Sequence, residues 1–372
     1  MKVILCGSEA YSVKMFRGDL IRDLVAKGHE VIIMANNASE QHLFEFSSLG
    51  ARYISSPISR SSLNPFKDIN VFLKFLRVFI LEKPDCVLSY TVKPVVWSGI
   101  VLSFFPKIRF IGMITGLGYA FGGQGRSRSL VNTIVKCLYK LSLANAYAVI
   151  FQNPDNKASF IELGLVDPSK ACVVNGSGVN LEYFSYHPYD ANENRVSFLM
   201  IARLLKDKGI LEFLSAASSL KCEYNNVDFV LLGHEDKSEN AVSIAEITKL
   251  DKAGVISYRG FVNDVREFLV SSTVYVLPSY HEGLPRSVLE AMAIGRPIIT
   301  TNVPGCRETV VDGVNGWLVP KGDSEALAEK MRWFMDGRSE INDMGSSSRE
   351  IAVKKFDVKK INKDILDIVT RP

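Results

Sequence analysis

Two carboxylates and two cations stand where they could handle a phosphorylated, hydroxyl-rich ligand. Glu282 and Glu290 are separated by seven residues within Thr273–Glu290, TVYVLPSYHEGLPRSVLE. The apolar run before them predicts a buried strand ending at Leu277, followed by the turn PSYHEG. Pro285 suits the first position of a helix. That helix then runs through Glu290 and Ala291 to Gly295. Glu282 thus falls in the loop at the strand's carboxyl end, just before the helix. Backbone amides near Gly283 and Leu284, at the positive helix end, suit an anion. A carboxylate beside them would not bind phosphate itself, but it accepts hydrogen bonds from hydroxyls next to a phosphate. The spacing alone also fits a glutamate on the helix dipole and a second on a solvated face.

A second loop repeats the arrangement with opposite charge. In IARLLKDKG, Ile201–Gly209, a strand again gives way to a helix, and Arg203 and Lys208 stand at R-x4-K spacing. Two cations there could neutralise a diphosphate, Arg through its planar fork and Lys as a point charge. Two solvated surface cations would give the same spacing.

The elements that must position these residues follow a regular alternation. In the first half, strands are predicted at Lys2–Cys6, Glu30–Met34, Ala51–Ser55, Asp85–Ser89, Arg109–Ile114, Ala146–Phe151 and Ala171–Val174. Helices fall between, as at Val13–Lys27, Pro65–Glu82 and Leu130–Asn145. The second half restarts, with strands at Val196–Ala202, Val227–Leu232, Val255–Tyr258, Thr273–Leu277 and Pro297–Thr301. Helices there are expected near Gly209–Leu220, Val265–Ser271, Leu284–Ile294 and Ser324–Met335. Strands alternating with helices imply parallel sheets covered on both faces. The expected fold is α/β, two doubly wound Rossmann-like domains facing each other across a cleft. The expected domains are residues 1–180, a polar linker at 181–195 (LEYFSYHPYDANENR), residues 196–350, and a C-terminal helix over 351–372 packing back on the first domain. Ligands of such folds sit outside the carboxyl ends of the strands, where both charged loops lie.

Composition narrows the function classes. The chain has 372 residues, 47% hydrophobic and 23% charged, ordinary for a globular protein. A net charge of +4 is too small for a dedicated nucleic-acid binder. Residues 1–185 hold 20 Lys/Arg against 13 Asp/Glu, a balance of +7, whereas residues 186–372 hold 24 against 27, a balance of −3. The two halves should therefore face different partners. The six cysteines form no C-x-x-C pair, and most lie in apolar runs, as buried thiols do in a reducing compartment. The five histidines have no ligand spacing, and no D-x-D pair is present to hold Mg²⁺. No metal or cofactor is expected. The glycines of GGQG, Gly122–Gly125, follow no strand, and with Arg126 and Arg128 they are expected as a mobile basic loop.

Here the sequence resembles a known family. ARLLKDKG, RGFVNDVREFL and PSYHEGLPRSVLEAMAIGRPIITTNVPGCRETVVDGVNGWLV occur in the order found in the nucleotide-binding domain of retaining glycosyltransferases of family 4, which have the GT-B fold. The first half matches more weakly, through GHEVIIMA, KPDCVLSYTVKP, TGLGYAF and VIFQNPDN. The chain is most similar to the subgroup that extends lipid-linked oligosaccharides for O-antigen, capsule or protein glycosylation. The resemblance implies that Arg203 and Lys208 hold the diphosphate of a nucleotide-sugar, with UDP favoured, and stabilise its departure. It implies that Glu282 accepts hydrogen bonds from the donor sugar and that backbone amides of Gly283, Leu284, Pro285 and Arg286 border the sugar and phosphates (Pro285 has no N–H to give). Glu290 would bind the ribose hydroxyls, with Phe261 and Val262 beside the base. The acceptor would be a lipid-linked saccharide.

The first half departs from the family pattern. Its first loop, CGSEAYS, has the single glycine Gly7 where many members have a pair. Thr115, before Gly116, stands where many have a histidine. Gly7, Thr115, Gly116, Glu9 and Lys93 are therefore candidates by loop position only. Phe66–Leu81 and Val95–Phe110 mix aromatic and aliphatic residues with Lys67, Lys74, Arg77, Lys107 and Arg109. They suit either core helices or contact with an anionic bilayer. With the +7 balance, the expectation is a cytoplasmic protein, peripheral on the inner face of the membrane. A nucleotide-sugar epimerase or hydrolase of the same fold, or a non-catalytic sugar-binding subunit, are the competing readings.

Overall fold

The computed structural model describes residues 1–372 except 59–64, 117–125, 191–194, 237 and 372, and gives no side-chain placement for 65–67, 126–131 and 338. The GGQG segment and most of TGLGYAF lie outside the described residues. The chain forms two compact units. One comprises Met1–Ser177 with Lys359–Pro372, the other Gly178–Val358.

The first unit is built on one parallel sheet. Its strands are β1 (Lys2–Glu9), β2 (Glu30–Asn36), β3 (Arg52–Ser55), β4 (Cys86–Tyr90), β5 (Arg109–Ile114), β6 (Ala148–Phe151) and β7 (Ala171–Val173). They lie in the order β3-β2-β1-β4-β5-β6-β7. Val3 pairs with Val31 on one side and Cys86 on the other. The inner strands are buried on both faces, so their middles are unbroken apolar runs, VILC in β1 and VIIMA in β2, rather than alternating. Val3 and Leu5 pack into one layer, Ile4 and Cys6 into the opposite one. The helix Val358–Thr370 is amphipathic, and its Ile361, Ile365, Leu366 and Val369 join the Val3 layer. Asn362 Nδ2 donates to Asp23 Oδ2 at 2.7 Å on that face.

The second unit repeats the wiring with β8 (Val196–Ile201), β9 (Val227–Leu232), β10 (Ser257–Tyr258), β11 (Val274–Leu277), β12 (Ile298–Thr301) and β13 (Gly316–Val319). The order is β10-β9-β8-β11-β12-β13, again all parallel. In both sheets the strand order reverses beside the first strand, which is where ligands of such sheets bind. In the second unit this places the loops after β8 and β11 side by side. Segment 181–195, expected as a linker, belongs to this unit. Phe184 and Tyr189 are in its core, and Arg349 donates to the carbonyls of Phe184 (3.0 Å) and Ala293 (2.7 Å). Its polar residues hid two aromatic anchors.

Among the described residues, no helix is long and apolar enough to cross a membrane, and no group of three or more His, Cys, Asp or Glu could hold a metal ion.

Candidate functional site

The site grows from two adjacent loops that cannot separate. After β8 the chain makes a short 3-10 turn, Lys206–Lys208, and enters the helix Ile210–Glu223 through Gly209. Gly209 has φ +75°, and a Cβ there would lie 2.1 Å from the Pro278 carbonyl oxygen, so only glycine fits. The Tyr280 amide donates to Asp207 O at 2.8 Å, and Ser279 Oγ to the same oxygen at 3.1 Å. The loop carrying Lys208 is thereby fixed to the loop carrying Glu282. Tyr280 Oη adds a bond to Glu212 Oε1 at 2.6 Å in the following helix. On the far side Gly305, φ +87°, brings the loop after β12 against Glu282, and the Glu282 amide donates to Pro304 O at 3.3 Å.

These constraints bring Lys208 and Glu282 into direct contact. Lys208 Nζ lies 2.6 Å from Glu282 Oε1, and each side chain is 16% exposed. An ammonium has three donors, so Lys208 can hold Glu282 and a phosphate oxygen together. Arg203 Nη1 donates to Asp236 Oδ2 at 3.0 Å. Asp236 is a residue that sequence reasoning missed. It lies after β9, and only the adjacency of β9 and β8 brings it to Arg203. Burial pulls the Asp236 carboxyl upward, but hydrogen bonds from Ser238 and the charge of Arg203 outweigh it and hold the group below its ordinary value.

The helix after β11 spans Arg286–Ile294 and ends at Gly295, φ +97°. It starts two residues after the expected Leu284 and one after Pro285, the expected first helical position. Pro285 is the residue before the first turn, with φ −74° and ψ 112°, because its ring fixes φ while the chain is still extended. Glu290, one turn into the helix from Arg286, is 7% exposed and accepts from Arg286 Nε at 2.8 Å. Burial pushes the Glu290 carboxyl up, and Arg286 opposes the shift. Leu284 is buried and packs into the core, so its contribution to a ligand is confined to the backbone. Phe261 is exposed, edge-on to His234 with ring centroids 5.9 Å apart, and Val262 packs against the core. His281 Nε2 lies 3.4 Å from Asp207 Oδ2, facing solvent.

The first-unit candidates do not form a comparable charged cluster. Gly7 is required by packing, because a Cβ there would lie 2.5 Å from Tyr90 Oη. Ser8 Oγ and Thr91 Oγ1 are 2.6 Å apart, joining the ends of β1 and β4. Glu9 stands before the helix Ala10–Ala26 without capping it through its side chain. Lys93 Nζ donates to Asp68 Oδ1 at 3.0 Å. Thr115 and Gly116 follow β5 and are half-buried.

The second unit thus gathers Arg203, Lys208, Glu282, Glu290 and a helix start at the carboxyl ends of its strands, by the central pair β8 and β11. That set can neutralise a diphosphate and fix hydroxyls beside it. Comparisons with known proteins show the family. Residues 187–351 match the family model described as glycosyl transferases group 1, and residues 15–176 that of a glycosyl transferase 4-like domain. The N,N'-diacetylbacillosaminyl-diphospho-undecaprenol alpha-1,3-N-acetylgalactosaminyltransferase of Campylobacter jejuni is 30% identical over 349 residues, 90% of each chain. The Escherichia coli UDP-Gal:alpha-D-GlcNAc-diphosphoundecaprenol alpha-1,3-galactosyltransferase is 25% identical over 315 residues, 81% of this chain and 79% of that one. Among solved structures, Anabaena HepE in complex with UDP superposes with a TM-score of 0.79 at 18% identity, covering 100% of both chains. That last likeness concerns the fold alone.

Proposed function

The chain belongs to the group 1 glycosyl transferases, and from that premise we propose that it moves a hexose or N-acetylhexosamine, with retention, from a UDP-sugar to a lipid-linked saccharide. The Lys208–Glu282 contact at 2.6 Å, beside Arg203 at the reversal of the sheet order, carries this reading. Arg203 and Lys208 neutralise the diphosphate as the glycosidic bond to it breaks. Electrostatic stabilisation of this kind acts where charge develops. Glu282 holds the sugar hydroxyls. The departing diphosphate accepts the proton of the attacking acceptor hydroxyl on the same face of the sugar, so no separate carboxylate base is needed. Backbone amides around Gly283 and Arg286 border the phosphates, Glu290 accepts the ribose hydroxyls, and Phe261 flanks the base. The UDP-sugar donor is that in the name of the Escherichia coli relative, the diphosphoundecaprenol-linked saccharide acceptor is in the names of both the Campylobacter jejuni and Escherichia coli relatives, and both names give an alpha linkage.

The test is product analysis. The purified protein is given labelled UDP-sugars and a membrane extract, with GDP-sugars as controls. Label in the lipid fraction supports the proposal. Free sugar, an epimerised nucleotide-sugar or no product would each replace it with a hydrolase, an epimerase or a binding subunit.

The acceptor's lipid anchor implies work at a membrane surface. The helix Pro65–Glu82 exposes Ile69, Leu73, Ile80 and Leu81, with Arg77 alongside, and Phe104 and Lys107 are exposed nearby in sequence. The helix Val92–Leu102 within the other apolar stretch is largely core, with Val95, Val96, Val101 and Leu102 buried. The proposed contact is therefore narrower than the two stretches expected from sequence. Peripheral binding on the inner face of the cytoplasmic membrane should favour anionic vesicles and weaken as salt screens the charges. Equal binding to neutral and anionic vesicles in a flotation assay would remove the electrostatic part.

A further inference from the structure

We infer that Asp236 is a positioning residue that aims the Arg203 guanidinium at the donor's diphosphate. The inference rests on the donor-site reading of the previous section and adds a residue to it. Three observations place the carboxylate as part of a built clamp. First, the loop after β9 is laid against the loop after β8. A Cβ on Gly233 would lie 1.8 Å from the Ala202 carbonyl oxygen, so the approach is open to glycine alone. The Leu204 amide donates to His234 O at 3.2 Å, the Lys206 amide to Asn240 O at 2.9 Å, and the Val242 amide to Leu204 O at 2.9 Å.

Second, the two Asp236 oxygens have divided duties. Oδ1 accepts the Ser238 amide at 2.9 Å, which fixes the side chain in a local turn. Oδ2 is left pointing at Arg203 Nη1, 3.0 Å away. Third, the pair is only partly screened, with side chains 33% and 20% exposed, in the loops beside the Lys208–Glu282 pair. A guanidinium has five donors in a rigid fork. Asp236 engages one of them, and fixing that one orients the rest of the plane. A long flexible side chain that is already oriented loses less freedom when phosphate binds.

The experiment is a double-mutant cycle read by calorimetric binding of UDP, with GDP as the second probe. Asp236→Ala and Asp236→Asn should each weaken UDP about tenfold, the scale of one hydrogen bond to a charged group. Asp236→Asn keeps an oxygen for the Ser238 amide, so it should melt as the parent does and still bind weakly, which a merely structural role would not produce. In an Arg203→Ala background, removing Asp236 should change affinity less than about twofold, because its route of action is gone. The inference is overturned if Asp236→Ala is as costly without Arg203 as with it. It is equally overturned if the Asp236 variants bind UDP as well as the parent or better. A parent protein that binds neither UDP nor GDP defeats the donor-site reading itself, and the Asp236 role with it.

Discussion

The two sheets share one wiring and differ in what their loops carry. In each, the first strand lies between the second and the fourth, and the strand order reverses beside it. In the second unit the loops at that reversal bear Arg203, Lys208 and Glu282, with Asp236 next to them, and the cations are held by carboxylates at 2.6 and 3.0 Å. In the first unit the corresponding loops bear Ser8 and Thr91, two hydroxyls in contact. Thr91 has φ +66° and ψ 157°, a conformation that disfavours a β-branched residue and that persists only where its surroundings impose it. Glu9 and Lys93 flank these loops, Lys93 held by Asp68 at 3.0 Å, and the buried Arg17 lies with its Cζ 5.4 Å from the Tyr90 ring centroid. The backbone wiring decides where a ligand can sit, and the loop side chains decide which chemistry it meets.

The sharpest way to break this contrast is to remove one charge from each reversal. Lys208→Ala and Arg203→Ala should each lower kcat by about 10²–10³, as loss of one transition-state donor does, with folding intact. Glu9→Gln, the carboxylate substitution in the first unit, should cost no more than a few-fold on the same enzymatic scale. Steady-state rates decide it, and a Glu9 variant as impaired as the Lys208 variant would move the chemistry into the first unit.

A smaller effect sharpens the second unit's side. Burial raises the Glu290 carboxyl above the ordinary glutamate range, and only its charged form accepts fully from ribose hydroxyls. As pH falls, Glu290 therefore protonates earlier than an exposed glutamate. UDP affinity should start to drop while ordinary glutamates are still charged. Glu290→Gln should bind about tenfold more weakly at neutral pH and lose that acid-side dependence. Calorimetry over an acid-to-neutral series checks both, and an identical pH profile in parent and variant would remove Glu290 from the ribose.

Much of this was legible in the sequence, for identifiable reasons. Strands such as Val227–Leu232 and helices such as Pro65–Glu82 have the bounds their hydrophobic patterns suggest, since burial leaves each with mainly apolar residues between polar flanks. Strand Gly316–Val319 was not legible, because GWLV is too short to show a period. The segment at 181–195 looked like a linker because its one proline, two asparagines and four charged residues mask Phe184 and Tyr189, the residues that anchor it. Lys208 and Glu282 announce themselves by strand-loop-helix patterns. Asp236 does not, because a lone aspartate in the polar stretch GHEDKSEN has no spacing to distinguish it. Its partner is set by which strands are neighbours, a property of topology rather than of local sequence.

The account's central claim is that the leaving diphosphate, held by Arg203 and Lys208, takes the acceptor's proton on the face from which it departs. NMR of the product's anomeric proton tests this directly. An α-linked nucleotide-sugar should give an α-linked product. A β-linkage from the same donor would mean attack from the opposite face, which requires a general base there and contradicts the mechanism.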